Sequence, residues 1–183
     1  LSHDAFRSFH RDGWTLGYEE RGLLDVFRTE AAFDAGVASA QSLQDAHGLR
    51  TDVLDSPALY AREPALVSGL VGALHHPQDA HLDPGAYVDA LCRAVDEAGV
   101  ERLSGTVTGL EKSGRRISRV ITTAGDVAPT QVVLAAGIWS KALAHCVGVG
   151  LPLEAGKGYS ITVPRTASMP MHPLRLAEAK VAY

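Results

Sequence analysis

The sequence predicts a mixed α+β fold, and three stretches carry that expectation. Residues 83–99 read as a capped amphipathic helix, and 106–123 as short strands separated by turn signals. Val132-Val133-Leu134-Ala135-Ala136 is apolar at every position, which is how a strand covered on both faces reads. Helices mixed with antiparallel and buried strands make α+β, or mixed α/β, the expected class. A chain of 183 residues can hold one sizeable domain or parts of two.

Taken in order, Ser2 can cap a short helix through Arg11, with Phe6 and Phe9 on its inner side. Leu16–Arg21 and Leu23–Thr29 read as strands around Gly22. A helix is predicted over Glu30–His47, because Phe33, Val37, Ala40 and Leu43 recur at helical spacing and Gly48 is a natural stop. Asp55-Ser56-Pro57 is a cap with proline in the first turn, opening a helix that ends before Pro64. Gly69–His75 reads as a strand. Asp83-Pro84 opens the clearest helix, with Tyr87, Leu91, Val95 and Ala98 in one stripe and Gly99 as terminator. Strands are then expected at Val100–Leu103, Thr106–Lys112, Ile117–Thr123 and Gln131–Ala135, with turns at Ser113-Gly114 and Gly125-Asp126. Ser140 can cap a short helix to Val147, and Lys157–Val163 alternates as a last strand.

The composition excludes several classes. Hydrophobic residues make up 46% and charged residues 21%, the balance of an ordinary globular chain. A net charge of -4 argues against a nucleic-acid partner, which needs a basic surface to displace counterions. No apolar run is long enough for a transmembrane helix. The start, Leu1-Ser2-His3-Asp4, carries neither a signal pattern nor an initiator Met, which points to processing or a cut end. Cys92 and Cys146 are expected to be buried, reduced thiols. His75, His76 and His81 invite a metal reading, but their spacing matches no ligand motif; solvated loop histidines are expected, and no metal. There is no G-x-S-x-G elbow and no G-x-G-x-x-G turn after a strand.

The order of elements from Asp83 to Ser140 is more specific. Helix, Val100 strand, three-stranded meander, apolar strand and the turn Ala136-Gly137-Ile138-Trp139-Ser140 together resemble the second FAD-contacting segment of the D-amino-acid oxidase superfamily, and within it the D-amino-acid dehydrogenase group. Gly22-Leu23-Leu24, Glu63-Pro64 and His81-Leu82-Asp83-Pro84 resemble the family's substrate-domain elements. Gly156-Lys157-Gly158-Tyr159 resembles its re-entry into that domain, and Leu176–Val181 the stretch before a later flavin motif. The likeness runs from about Gly22 to Val181.

The resemblance implies three pieces: 1–80 as the first part of a substrate domain, 81–150 as an FAD-domain segment, and 151–183 as the second part of the substrate domain. The substrate domain would be an antiparallel sheet with helices on one side. FAD is the implied cofactor, contacted by Thr106 and Val107 on one side and by Ala135, Ala136, Gly137 and Trp139 at the turn. Small residues there leave no side chain to block close backbone approach. His81, Lys157 and Tyr159 are the candidate substrate residues, lysine giving a point charge and tyrosine a hydroxyl. Half-buried strand positions are the ordinary alternative for Lys157 and Tyr159. No catalytic residue is assigned.

The implied activity is oxidative deamination of a D-amino acid or related amine to an oxo acid and ammonia, with a quinone or another electron acceptor. The implied location is cytoplasmic, or peripheral to the inner membrane. The family's dinucleotide fingerprint and its later flavin segment are not in this sequence, so the chain alone is expected to be inactive and not to retain FAD. Two alternatives remain open: a glycine, sarcosine or proline oxidoreductase of the same superfamily, and a non-enzymatic module that binds a ligand or partner.

Overall fold

The computed structural model describes residues 2–183, apart from the Ser2 side chain, so the predicted Ser2 cap lies outside what is described. The chain divides into two compact units. The first runs through Ala98 and resumes at Pro164–Tyr183; the second is Gly99–Val163. Helices and sheets are mixed as expected.

In the first unit, α1 (Ser2–Arg11) sets Phe6 against Tyr18 (ring centroids 5.8 Å apart) and Tyr87 (5.4 Å), while Phe9 stacks on Trp14 (4.6 Å). β1 (Leu23–Phe27) is followed by α2 (Glu30–His47), which Thr29 caps through the Ala32 N–H and Gly48 ends in the left-handed conformation. β2 (Asp52–Asp55) leads into α3 (Ser56–Arg62), where the Asp55 carboxylate accepts from the Ala58 N–H at 2.9 Å. β3 (Gly72–His76) precedes α4 (Pro84–Glu97), whose cap Asp83 accepts from the N–H groups of Gly85 (2.8 Å) and Ala86 (3.1 Å). Capping side chains satisfy amides that the first helical turn cannot. Cys92 is only half-buried on α4, where the fully buried small residue is its neighbour Ala90.

Two further strands, β6 (Leu174–Leu176) and β7 (Val181–Ala182), complete a five-stranded sheet in the order β2-β3-β1-β6-β7. The β1–β6 pair is parallel and the others antiparallel, so the sheet is mixed rather than purely antiparallel. Alternate strand residues face opposite sides. Leu24 and Val26 pack with Leu59 of α3, while Phe27 and Leu74 pack with Ala40 of α2. Helices therefore cover both faces, not one. Leu16–Arg21 is not a strand: only Glu19 bridges to His81.

The second unit holds the hairpin of β4 (Val107–Ser113) and β5 (Arg116–Thr122), a 3-10 turn at Gly137–Trp139, and α5 (Ser140–His145). The expected meander is a two-stranded hairpin with one added bridge, Val120 to Val127. Val100–Leu103, Gln131–Ala135 and Lys157–Val163 form no strands. A strand needs a neighbour for its N–H and C=O groups, and among the described residues no strand pairs with these runs. Cys146, expected to be buried, is exposed just past α5; both cysteines are free thiols. No described helix is long and apolar enough to cross a membrane.

Candidate functional site

The residues assigned to the flavin all lie in the second unit. Val107 opens β4 and Thr106 precedes it. Thr106 donates its N–H to the Thr123 hydroxyl at 3.0 Å, and the Thr123 N–H returns to the Thr106 carbonyl at 3.0 Å. A cavity of about 330 Å³ beside Val107 is walled by Val120, Val127, Val132 and Val133. The cavity sets Val107 against the start of the apolar run, and Ala135, Ala136, Gly137 and Trp139 are not part of its lining. The apolar run is nonetheless irregular and exposed; Val133 is 91% accessible. The run is therefore not the strand covered on both faces that the sequence predicts.

The turn that follows is largely open to solvent. Ala135 and Gly137 are exposed, and Trp139 is 75% accessible. Gly137 has φ +54°, the left-handed region that L side chains rarely adopt, and a Cβ there would meet nothing within 4 Å. Ser140 does not act as the helix cap: it is the first α5 residue, and its hydroxyl accepts from the Ala136 N–H at 3.1 Å. A small, open, positively twisted turn fits a cofactor that approaches the backbone closely.

Lys157 and Tyr159 lie on the exposed irregular stretch of the same unit. The Lys157 ammonium stands 5.2 Å from the centre of the Tyr159 ring, and Tyr159 is 90% accessible. That pair offers a cation and a hydroxyl together, without the half-buried strand expected to carry them. His81 belongs to the first unit. Its Nε2 lies 3.7 Å from the Glu19 carboxylate, and its Nδ1 is buried with no hydrogen-bond partner among the described residues. His75 and His76 are not solvated loop residues; they sit on β3 with Asp52 and Asp25 each at 3.2 Å.

Sequence reasoning missed two buried carboxylates of the first unit. Asp25, 5% accessible, accepts from Arg175 Nε at 2.6 Å and from its Nη2, and pairs with His76. Burial pushes its carboxyl up, but hydrogen bonds from His76 and Arg175 outweigh this and hold it below the usual value. Glu63, 1% accessible, accepts from the Met171 N–H (2.9 Å), the His172 N–H (2.8 Å) and the His172 ring. Burial again opposes ionisation, and these donors together keep the carboxyl lowered. An Asp inside the apolar strand Leu23–Phe27 was the available signal; its partner lies 150 residues away.

Comparison with solved structures finds the same architecture in a glycine oxidase and in an L-amino acid deaminase. Glycine oxidase from Geobacillus kaustophilus superposes with a TM-score of 0.71 at 26% identity, covering 82% of this chain and 40% of that one. L-amino acid deaminase from Proteus vulgaris gives 0.69 at 21% identity, a likeness of fold, over 82% of this chain and 36% of that one. Over residues 1–182 the sequence matches the FAD dependent oxidoreductase family, and the chain belongs to that family. A D-amino acid dehydrogenase from Rhizobium rhizogenes is 37% identical over 160 residues, 84% of this chain and 38% of that protein. One from Bradyrhizobium diazoefficiens is 35% identical over 169 residues, 89% of this chain and 40% of that protein. The chain spans about two fifths of the length of the curated relatives it matches.

Proposed function

We propose that the whole protein carrying this chain is an FAD-dependent dehydrogenase that converts a D-amino acid to an oxo acid and ammonia. The observation that carries this is the 37% identity to a D-amino acid dehydrogenase across 84% of the chain. When bound, FAD supplies the acceptor for the hydride leaving the substrate Cα, after which the imino acid hydrolyses. In this reading 81–150 is an FAD-domain segment, and 1–80 with 151–183 belongs to the substrate domain. Thr106, Val107, Ala135, Ala136, Gly137 and Trp139 would hold the cofactor, with Gly137 leaving open space for its approach. The Lys157 ammonium and Tyr159 hydroxyl would hold a substrate carboxylate. His81 is a separate candidate, with one ring nitrogen still to be paired.

The relatives' dehydrogenase name supports a quinone or another acceptor rather than a fixed oxidant, and a cytoplasmic protein that meets the inner membrane where a membrane quinone serves. The glycine oxidase likeness at 26% identity favours a second reading, a glycine or sarcosine oxidoreductase. The test is dye reduction and oxo-acid release by the complete enzyme with D- and L-amino acids, glycine, sarcosine and proline. Turnover of D-isomers alone is expected. Turnover restricted to glycine or sarcosine selects the second reading. A complete protein that neither retains flavin nor turns over any of them is a binding module.

A further inference from the structure

We infer that the cavity between α2 and the sheet of the first unit binds a small amphiphile with a carboxylate head and a short aliphatic tail, at a site distinct from the residues assigned to flavin and amino acid. The cavity follows from how α2 lies on the sheet. The two touch at Gly36, where a Cβ would stand 2.7 Å from the Phe27 ring. Further along α2, Ser39 and Ala40 keep the helix slim, and the gap widens to about 440 Å³. That is within the range of small-molecule sites, roughly 300–1,000 Å³. Phe27, Leu74, Ala40 and Leu43 form its apolar wall. Leu43 and the Arg175 side chain are exposed, so the space opens to solvent.

The polar side of the cavity is a row across three strands: His76 on β3, Asp25 on β1 and Arg175 on β6. Asp25 is fully engaged by the other two. Arg175 uses Nε and Nη2 on Asp25, which leaves Nη1 without a hydrogen bond among the described residues. Lys180 also lines the cavity, on a backbone with φ +52°. It makes no ion pair among the described residues. The charged lining is therefore two cations against one carboxylate that is already paired. Asp79 adds an attraction to Arg175 from outside the lining. One free guanidinium N–H edge and one ammonium match a singly charged head; a phosphate dianion would need more donors. The apolar wall takes the tail.

The test is calorimetric titration of the complete enzyme with octanoate, with octanol (the tail without charge) and acetate (the head without tail) as comparators. Octanoate should bind about tenfold or more tighter than either, as a charge-assisted contact and apolar burial act together. Lys180→Glu should weaken octanoate by about tenfold at unchanged Tm. Ser39→Trp, which fills the gap, should abolish binding. Saturating amino-acid substrate should leave the octanoate affinity unchanged. Equal affinity for octanol and octanoate, an unchanged affinity in Lys180→Glu, or displacement by the amino-acid substrate would overturn the inference.

Discussion

The two units spend their apolar residues differently. Among the described residues, every large buried hydrophobic side chain belongs to the first unit, and the second contributes Ala144 alone. The first unit closes Leu24, Val26, Leu54, Leu59 and Leu174 on one sheet face and Phe27, Ala40 and Leu74 on the other. The second leaves Val132, Val133, Leu134, Ile161 and Val163 exposed. The sequence is equally apolar in both places, so hydrophobicity alone does not decide burial; a neighbouring element does. The proposed reading gives the second unit such neighbours in the remainder of an FAD domain.

The sharpest way to break this contrast is to remove the acceptor that pins the returning chain to the first unit. Glu63→Ala leaves the N–H groups of Met171 and His172 and the His172 ring without their buried partner. Breaking a buried, hydrogen-bonded pair from one side costs about 3–5 kcal/mol. Chemical denaturation should show that loss. The acid limb should respond too. Both Asp25 and Glu63 titrate below their ordinary values in the fold. Their contribution is therefore present above the unfolded carboxyl value, near about pH 4, and is lost as pH falls through the lowered folded one. Unfolding should begin below about pH 4, and Glu63→Gln should flatten that slope. An unchanged acid profile in Glu63→Gln would show that this clasp is not what acid releases.

A smaller effect is expected at Gly72 on β3. A Cβ there would stand 2.6 Å from the Leu54 carbonyl oxygen and 2.8 Å from the Phe33 ring. Backbone on the neighbouring strand cannot swing aside, so Gly72→Ala should cost about 1–3 kcal/mol, read as a lower Tm. A neutral result would mean that the first unit is packed more loosely than its buried clusters imply.

Much of the first unit was legible because its signals are local. Asp55-Ser56-Pro57, Asp83-Pro84 and Gly48 fix helix ends through contacts with residues two to four positions away, and those helices form as predicted. β6 and β7 were not legible. They are three and two residues long and exist only because Leu24–Val26 offers an edge some 150 residues earlier. In the second unit the error ran the other way: Val132–Ala136 has a strand's sequence and, among the described residues, no strand paired with it. The buried Asp25 and Glu63 were missed for the same reason, since the partners that make their burial tolerable lie from 51 to 150 residues away.

Gly137→Val probes the second unit where the flavin turn is proposed. The open surroundings remove any clash, so only the left-handed φ opposes the substitution, at about 1–2 kcal/mol. In the complete enzyme the same change should weaken flavin retention by more than it lowers stability, because the added side chain would meet the cofactor. Thermal unfolding and flavin affinity measured side by side separate the two. Equal losses in both would reduce Gly137 to a chain-turning residue.

The smallest effect should come from Val133→Lys, and it tests the contrast most directly. In the 183-residue chain this side chain is 91% accessible, and exposed substitutions away from caps and turns change stability by less than about 0.5 kcal/mol. Tm should therefore not move. In the complete enzyme the proposed FAD domain would cover the run on both faces. An unpaired ammonium would then be forced out of water, at several kcal/mol or at the expense of local structure. Comparing the same substitution in the two proteins isolates what the neighbours contribute, since the residue and its local sequence are identical. A large loss in the 183-residue chain would mean that Val133 is already packed there. No loss in the complete enzyme would mean that the apolar run stays at the surface, and the second unit's exposed face would need a different occupant.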